Sequence, residues 1–169
     1  MLNFLFRGLT AEPDRGAALF AAVTARAREP HWYVEGGVAD SIDGRFAVLA
    51  TVTAMTLVRL EQDGDAGNIA SVALTERFIE VMESEHRELG LGDPKLGRTV
   101  RKLVGALARR TELSRSAASS GGWAQLARES LYKGHVAPAA LDHSGHALGR
   151  YWAELERAGV EALAQGRIA

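Results

Sequence analysis

Apolar residues recur along most of this chain at steps of three and four, the spacing that gathers them on one side of an α-helix. Phe20, Val23 and Ala27 mark a first helix over about Asp14 to Arg28, opened by Pro13-Asp14 and stopped by Pro30. A loop from His31 to Asp43 carries Gly36-Gly37, and Asp43 is the expected N-cap of a second helix, about Gly44 to Glu61. Phe46, Leu49, Val52 and Met55, with Val48, Leu57 and Val58, make that helix apolar nearly all round, which predicts a place at the centre of a bundle. Its β-branched residues leave a strand as the lesser alternative, and its length argues for helix. Asp63 to Gly67 reads as a turn. A third helix, about Asn68 to Leu89, ends at Gly90-Leu-Gly92 as a left-handed cap would end it.

Asp93-Pro94 restarts helix. The buried stripe of this fourth helix is expected at Leu96, Val100, Leu103, Val104, Leu107 and Thr111. Ser114 to Gly122 is small and polar and reads as a flexible connector. A short helix, about Trp123 to Tyr132, and a long last one, Pro138 to about Gln165, complete the pattern. There is no internal repeat and no alternating strand series. The expectation is an all-α, single-domain bundle of five to six helices. It divides into an N-terminal segment (1–13), a helical core (14–116) and C-terminal helices packed on that core (117–169).

Composition narrows the function classes. The 169 residues are 47% hydrophobic and 24% charged, enough apolar material for a sizeable core. With 20 basic and 21 acidic residues the net charge is −1, so no global bias points to nucleic acid. The absence of cysteine excludes disulfides, thiolate nucleophiles and cysteine-ligated metal sites. The opening Met1 to Arg7 is apolar but too short for a signal peptide, and its arginine follows the apolar run. Phe46 to Val58, the longest uncharged apolar stretch, falls short of the roughly eighteen residues that span a bilayer.

Charge is distributed unevenly all the same. Glu76, Glu80, Glu83, Glu85 and Glu88 make the third helix acidic, whereas the fourth is basic. Arg98, Lys102 and Arg109 fall on roughly one face of the fourth, a face suited to anionic lipid headgroups, an acidic partner or RNA phosphate. The plainer reading is a solvated surface, since exposed charge pairs add little stability. No aromatic residues interleave with these cations, which argues against a single-strand platform and against sequence-specific nucleic-acid binding.

Candidate chemistry is sparse. His143 and His146 are three apart and could share a helix face, with Asp142 or Asp40 as oxygen donors, but two histidines make a weak metal signal. No Gly-x-Ser-x-Gly elbow and no phosphate-binding loop occur. Neither a catalytic centre nor a bound cofactor or metal is expected. Trp32-Tyr33, beside the glycine-rich loop, reads either as core packing or as part of a binding groove.

Two segments carry a family likeness. Ala27-Arg-Glu-Pro-His-Trp-Tyr33, with Gly37-Val-Ala-Asp-Ser-Ile-Asp-Gly-Arg-Phe46, resembles the Ala-Arg-x-Pro-x-Phe-Tyr and Gly-Val-Pro-Asp-Thr-x-x-Gly-Arg-Phe motifs of the ubiquinol–cytochrome c chaperone family. Arg87-Glu-Leu-Gly-Leu-Gly-Asp93 and the basic run after it resemble the family's Leu-Arg-Glu-Met-Gly-Val-Gly-Asp segment in order and spacing. Trp32 stands for the usual Phe, and Leu107-Ala-Arg-Arg110 for a Phe-Tyr-Gly-Arg element.

The resemblance implies a non-catalytic assembly chaperone for the cytochrome bc complex. It would bind newly made cytochrome b or a similar membrane subunit, with a small partner protein. It would act on the cytoplasmic side of a bacterial inner membrane, or the matrix side of a mitochondrial one, in peripheral contact with that membrane. The client-contacting residues it implies are Trp32, Tyr33, Asp40, Arg45 and Phe46 from the first motif, and Arg87, Glu88, Gly90, Gly92 and Asp93 from the second. A plainer account makes the glycines turn formers, Asp40 and Asp93 caps, and Arg45 with Glu88 a buried ion pair. Two rival readings stand beside it. One is a helical adaptor that binds anionic membrane or ribosome through Arg98, Lys102 and Arg109; the other is a helical enzyme with a histidine-containing pocket.

Overall fold

The second helix of the pattern, α2 (Ile42–Leu60), runs through the middle of the molecule. Every residue from Ala50 to Leu60 is buried, so over this length the helix has no solvent face, as its all-round apolarity predicts. Two of its three buried threonines find acceptors one turn back: Thr51 donates to the carbonyl of Ala47 at 2.7 Å and Thr56 to that of Val52 at 2.9 Å, while the Thr53 hydroxyl is buried without a partner.

The computed structural model describes residues 16–88 and 93–168, with all side chains among them except those at 86 and 93–96. Around α2 are arranged α1 (Ala17–Ala27), α3 (Gly64–Glu88), α4 (Asp93–Ser120), α5 (Trp123–Leu131) and α6 (Pro138–Arg157). All five pack against α2, and a single turn of helix, α7 (Val160–Ala164), closes on α1 and α3. No strand occurs among the described residues. The all-α bundle and its six principal helices agree with the hydrophobic pattern.

Several boundaries differ from it, each for a local reason. The N-cap of α2 is Ser41, whose Oγ accepts the Gly44 N–H at 3.1 Å, and not Asp43, which sits in the first turn and pairs with Lys133. The expected turn at Asp63 to Gly67 is shorter: one 3₁₀ turn (Glu61–Asp63) leads straight into α3 at Gly64. The serine-rich connector is helix as far as Ser120. Ser114 and Ala117 face the core, and Ser119 and Ser120 donate back to the Ser116 carbonyl, so only Gly121 and Gly122 turn the chain. The stripe of α4 is rotated from the expected one. Leu107, Ser114 and Ala117 are buried, while Val104 is exposed and the Leu96 side chain lies outside the described set.

The last helix breaks at Ala158-Gly159. Arg59 accounts for the break. This buried arginine donates to the carbonyls of Leu155 at 3.0 Å and Ala158 at 2.9 Å, filling the role of the next helical turn, and meets Asp63 at 2.5 Å.

Candidate functional site

The segment between α1 and α2 is held by its aromatic pair. The Trp32 indole N–H donates to the Arg26 carbonyl at 2.9 Å, and the Tyr33 hydroxyl donates to the Ala27 carbonyl at 2.8 Å. The tyrosine satisfies a carbonyl that the end of α1 leaves open, and the indole shares the Arg26 carbonyl with the Glu29 N–H at 3.3 Å. Trp32 is wholly buried, so it anchors the segment and presents no surface to a partner. Tyr33 is only partly covered; burial is the main influence on its phenol and pushes its pKa up.

Two glycines of the segment are required by close approach. A Cβ on Gly36 would stand 2.6 Å from the Trp32 carbonyl oxygen and 2.7 Å from Ser144 Oγ; one on Gly44 would stand 1.9 Å from the Ala39 carbonyl oxygen. Gly44 thus lets the loop fold back on the first turn of α2, which sets Arg45 and Phe46 at the surface beside Tyr33.

These residues open onto a cleft of about 320 Å³ between α1, α2, α3 and α4. Its apolar lining includes Phe20, Phe46, Leu49, Val81, Met82 and Leu103, and Arg28, Asp43, Arg45 and Glu85 stand among its charged residues. Ile42, also in the lining, is 72% exposed, and Val34, next to Tyr33, is 74% exposed. Large apolar side chains left in water beside an apolar cleft mark a contact surface better than the cleft alone would. Phe46 leans on Phe78 with ring centroids 6.2 Å apart.

Arg45 and Asp40 pair at 2.7 Å in full solvent, and this hydrogen bond holds the Asp40 carboxyl below its usual range. The buried Arg45–Glu88 pair of the plainer account is absent: Arg45 takes Asp40, and Glu88 is exposed.

Tyr33, Arg45 and Phe46 therefore line one cleft, with Asp40 at its edge through Arg45. Arg87 and Glu88 are exposed at the end of α3 and are not part of the cleft lining. Gly90 and Gly92 lie outside the described residues, as does the Asp93 side chain. The cleft residues that sequence reading did not single out as site residues include Ile42, Val81, Met82, Glu85 and Leu103. Val81 and Met82 carried an apolar signal, but one indistinguishable from that of core positions. Arg98, Lys102 and Arg109 are all exposed on α4.

His143 and His146 take separate partners. His143 Nε2 faces His31 Nδ1 at 3.1 Å, and His31 Nε2 meets Glu29 at 3.0 Å, whereas His146 bonds the Asp142 carbonyl of its own helix. Among the described residues no group of three or more metal-ligating side chains gathers, and no helix is long and apolar enough to cross a membrane.

Comparison with known proteins agrees with the two motifs. No curated protein matches the sequence. A crystal structure of the Cbp3 homolog from Brucella abortus superposes with a TM-score of 0.75 at 24% identity, over 100% of this chain and 96% of that one, a likeness that speaks for the fold. The sequence profile described as Ubiquinol-cytochrome C chaperone matches residues 34–169, which include the cleft residues from Ile42 onward. The chain belongs to the ubiquinol–cytochrome c chaperone family.

Proposed function

We propose that the protein is a non-catalytic assembly chaperone of the ubiquinol–cytochrome c reductase (cytochrome bc) complex, and that it holds newly made cytochrome b or a similar membrane subunit through the Tyr33–Phe46 cleft. The observation that carries this reading is an apolar cleft whose own lining includes a large exposed apolar side chain, Ile42, with Val34 exposed next in sequence to the lining residue Tyr33. A membrane subunit awaiting assembly presents apolar helix faces, and a lined cleft with exposed apolar neighbours offers such a face partial burial. The charged rim, with Arg45 held by Asp40, would orient the client while contributing little to affinity. The paired aspartate and arginine, the glycine that seats them and the phenylalanine beside them all belong to the motif shared with the family.

The decisive experiment deletes the gene and records difference spectra for b- and c-type cytochromes. The expected result is loss of the cytochrome bc signal, restored by the wild-type chain and not by an Ile42→Asp, Phe46→Asp variant. Unchanged cytochrome b in the deletion strain would remove the proposal. A photocrosslinking residue at position 42 identifies the client directly, and the expected adduct is a cytochrome bc subunit.

A further inference from the structure

A second groove, of about 610 Å³, shares Asp43, Phe46 and Leu103 with the first and runs between the start of α2, the face of α4 and the segment after α5. One residue in it is out of keeping with an ordinary surface. Arg110 is half-buried, yet among the described residues no carboxylate pairs with it. Its guanidinium donates to two carbonyls, Ala106 at 3.1 Å and Ser130 at 2.7 Å, and lies 5.8 Å from the centre of the Phe46 ring. Its Nε–H is buried without a partner. The two acidic residues of the groove are engaged elsewhere: Asp43 by Lys133 at 2.5 Å, and Glu129 by Arg109 at 3.5 Å and by Gln125. Burial, then the neighbouring Arg109, lowers the Arg110 pKa, the response of a cation that lacks a counter-ion. Carbonyl dipoles and a ring face offset only part of what desolvating a charge costs.

The surroundings say what would complete it. Lys102 lines the same groove, and the floor beneath includes Leu103, Ala106 and Leu131, so the site is cationic above and apolar below. Lys102 also belongs to a stripe on the exposed face of α4 with Arg98, Arg101 and Arg109. The stripe extends roughly 16 Å along the helix. Nothing lies within 4 Å of a Cβ built on Gly97, just before the stripe, or on Gly105, within it, so the face is open enough to rest on a planar surface. No aromatic residue occurs on this helix, which disfavours a nucleic-acid surface.

We propose that this groove and stripe bind the anionic phospholipid surface of a membrane: Arg110 receives a headgroup phosphate, Lys102 stands at the mouth, and Arg98, Arg101 and Arg109 hold α4 against the bilayer. The proposal goes beyond the client cleft and does not depend on which subunit that cleft holds.

The test floats the purified full chain with vesicles of phosphatidylcholine alone or of phosphatidylcholine with phosphatidylglycerol. Binding is expected only to the anionic vesicles and is expected to fall as salt rises. Each basic residue near an anionic surface contributes roughly a fivefold gain, so reversing three (Arg98→Glu, Lys102→Glu, Arg109→Glu) is expected to weaken binding at least about a hundredfold. All three positions are exposed, and circular dichroism verifies that the variant is folded. A thermal-shift arm with short-chain phosphatidylglycerol below its micellar threshold examines the groove. Stabilisation of the wild type is expected, with its loss in Arg110→Gln and partial return in Arg110→Lys. Equal binding to neutral vesicles, no binding at all, or an unchanged triple variant would overturn the proposal. So would stabilisation by inorganic phosphate equal to that by the lipid, or a preference for RNA over anionic vesicles in a competition assay.

Discussion

Tyr132 and Ser144 share a hydrogen bond of 2.7 Å, and the same phenol donates to the Gly36 carbonyl at 2.6 Å. Because the Gly36 oxygen can only accept, Tyr132 gives its proton there and receives the Ser144 hydroxyl proton in return. One side chain thus fastens the loop before α2 to the last long helix, across 96 residues of sequence. Tyr132→Phe leaves the Gly36 carbonyl and the Ser144 hydroxyl, both on buried residues, without this partner. A loss of about 1–3 kcal/mol is expected in urea denaturation. Hydrogen exchange should rise first at residues 36–38, next to the lost bond, and an unchanged exchange rate there would show that the tie does not hold the loop.

Arg59 plays the corresponding part for the C-terminal end of α6. It is 7% exposed, and its guanidinium meets Leu155, Ala158 and Asp63. Arg59→Met fills the space but strands the Ala158 carbonyl and takes the cation from Asp63, while the Leu155 carbonyl keeps the Ala158 N–H at 3.2 Å, at an expected cost of about 3 kcal/mol. Arg59→Lys restores the charge without the fork that reaches both carbonyls, so it should recover only part of the loss. Equal stability of the methionine variant and wild type, measured by chemical denaturation, would contradict the assignment.

These ties show where the sequence was readable and where it was not. The apolar surround of α2 and the three- and four-residue spacing elsewhere specify six helices, because burial must follow periodicity. Caps and breaks depend on partners far along the chain. Nothing near Ala158 announces that Arg59 will end α6, and the serines from Ser114 to Ser120 read as linker because their neighbours across the bundle are invisible from sequence. At the cleft, motif residues Tyr33, Arg45 and Phe46 were legible, while Val81, Met82 and Leu103 were not, since an apolar residue lining a cleft and one lining the core leave the same periodic mark. The isolation of Arg110 could not be read at all, because an unpaired cation is a property of three-dimensional surroundings.

Gly44→Ala sets two effects against each other. Helix propensity favours alanine by roughly 1 kcal/mol. The added methyl, however, would stand 1.9 Å from the Ala39 carbonyl oxygen, which forces the preceding loop away from α2. Sterics should win, with a net loss of about 1–3 kcal/mol and a displaced Arg45 and Phe46. A more stable alanine variant would show that the loop relaxes freely.

Ile42→Asp isolates function from stability. With 72% of its surface in water, Ile42 contributes little to folding, and the substitution should change stability by no more than about 0.5 kcal/mol. The same change places a charge on an apolar contact surface and is expected to reduce cytochrome bc content in complemented cells. Normal content with a stably folded variant would move the client surface away from this cleft.

Alkaline stability follows from the tyrosines. The chain has three, Tyr33, Tyr132 and Tyr151, and for each of them burial is the foremost cause of a raised pKa. Tyr151 is the extreme case, fully enclosed with its hydroxyl 2.7 Å from Thr56 Oγ. A group whose folded pKa lies above its unfolded value of about 10 lends stability that is fully present below that pH and is lost as pH rises through the folded value. The bundle should therefore keep its tyrosine-linked stability up to about pH 10 and shed it above. The Tyr151 phenolate signal in the near ultraviolet should appear together with loss of the helical circular dichroism, since its ionisation requires the core to open. Independent titration of all three phenols near pH 10, with helix content intact, would show that Tyr151 is reached by solvent in the folded state.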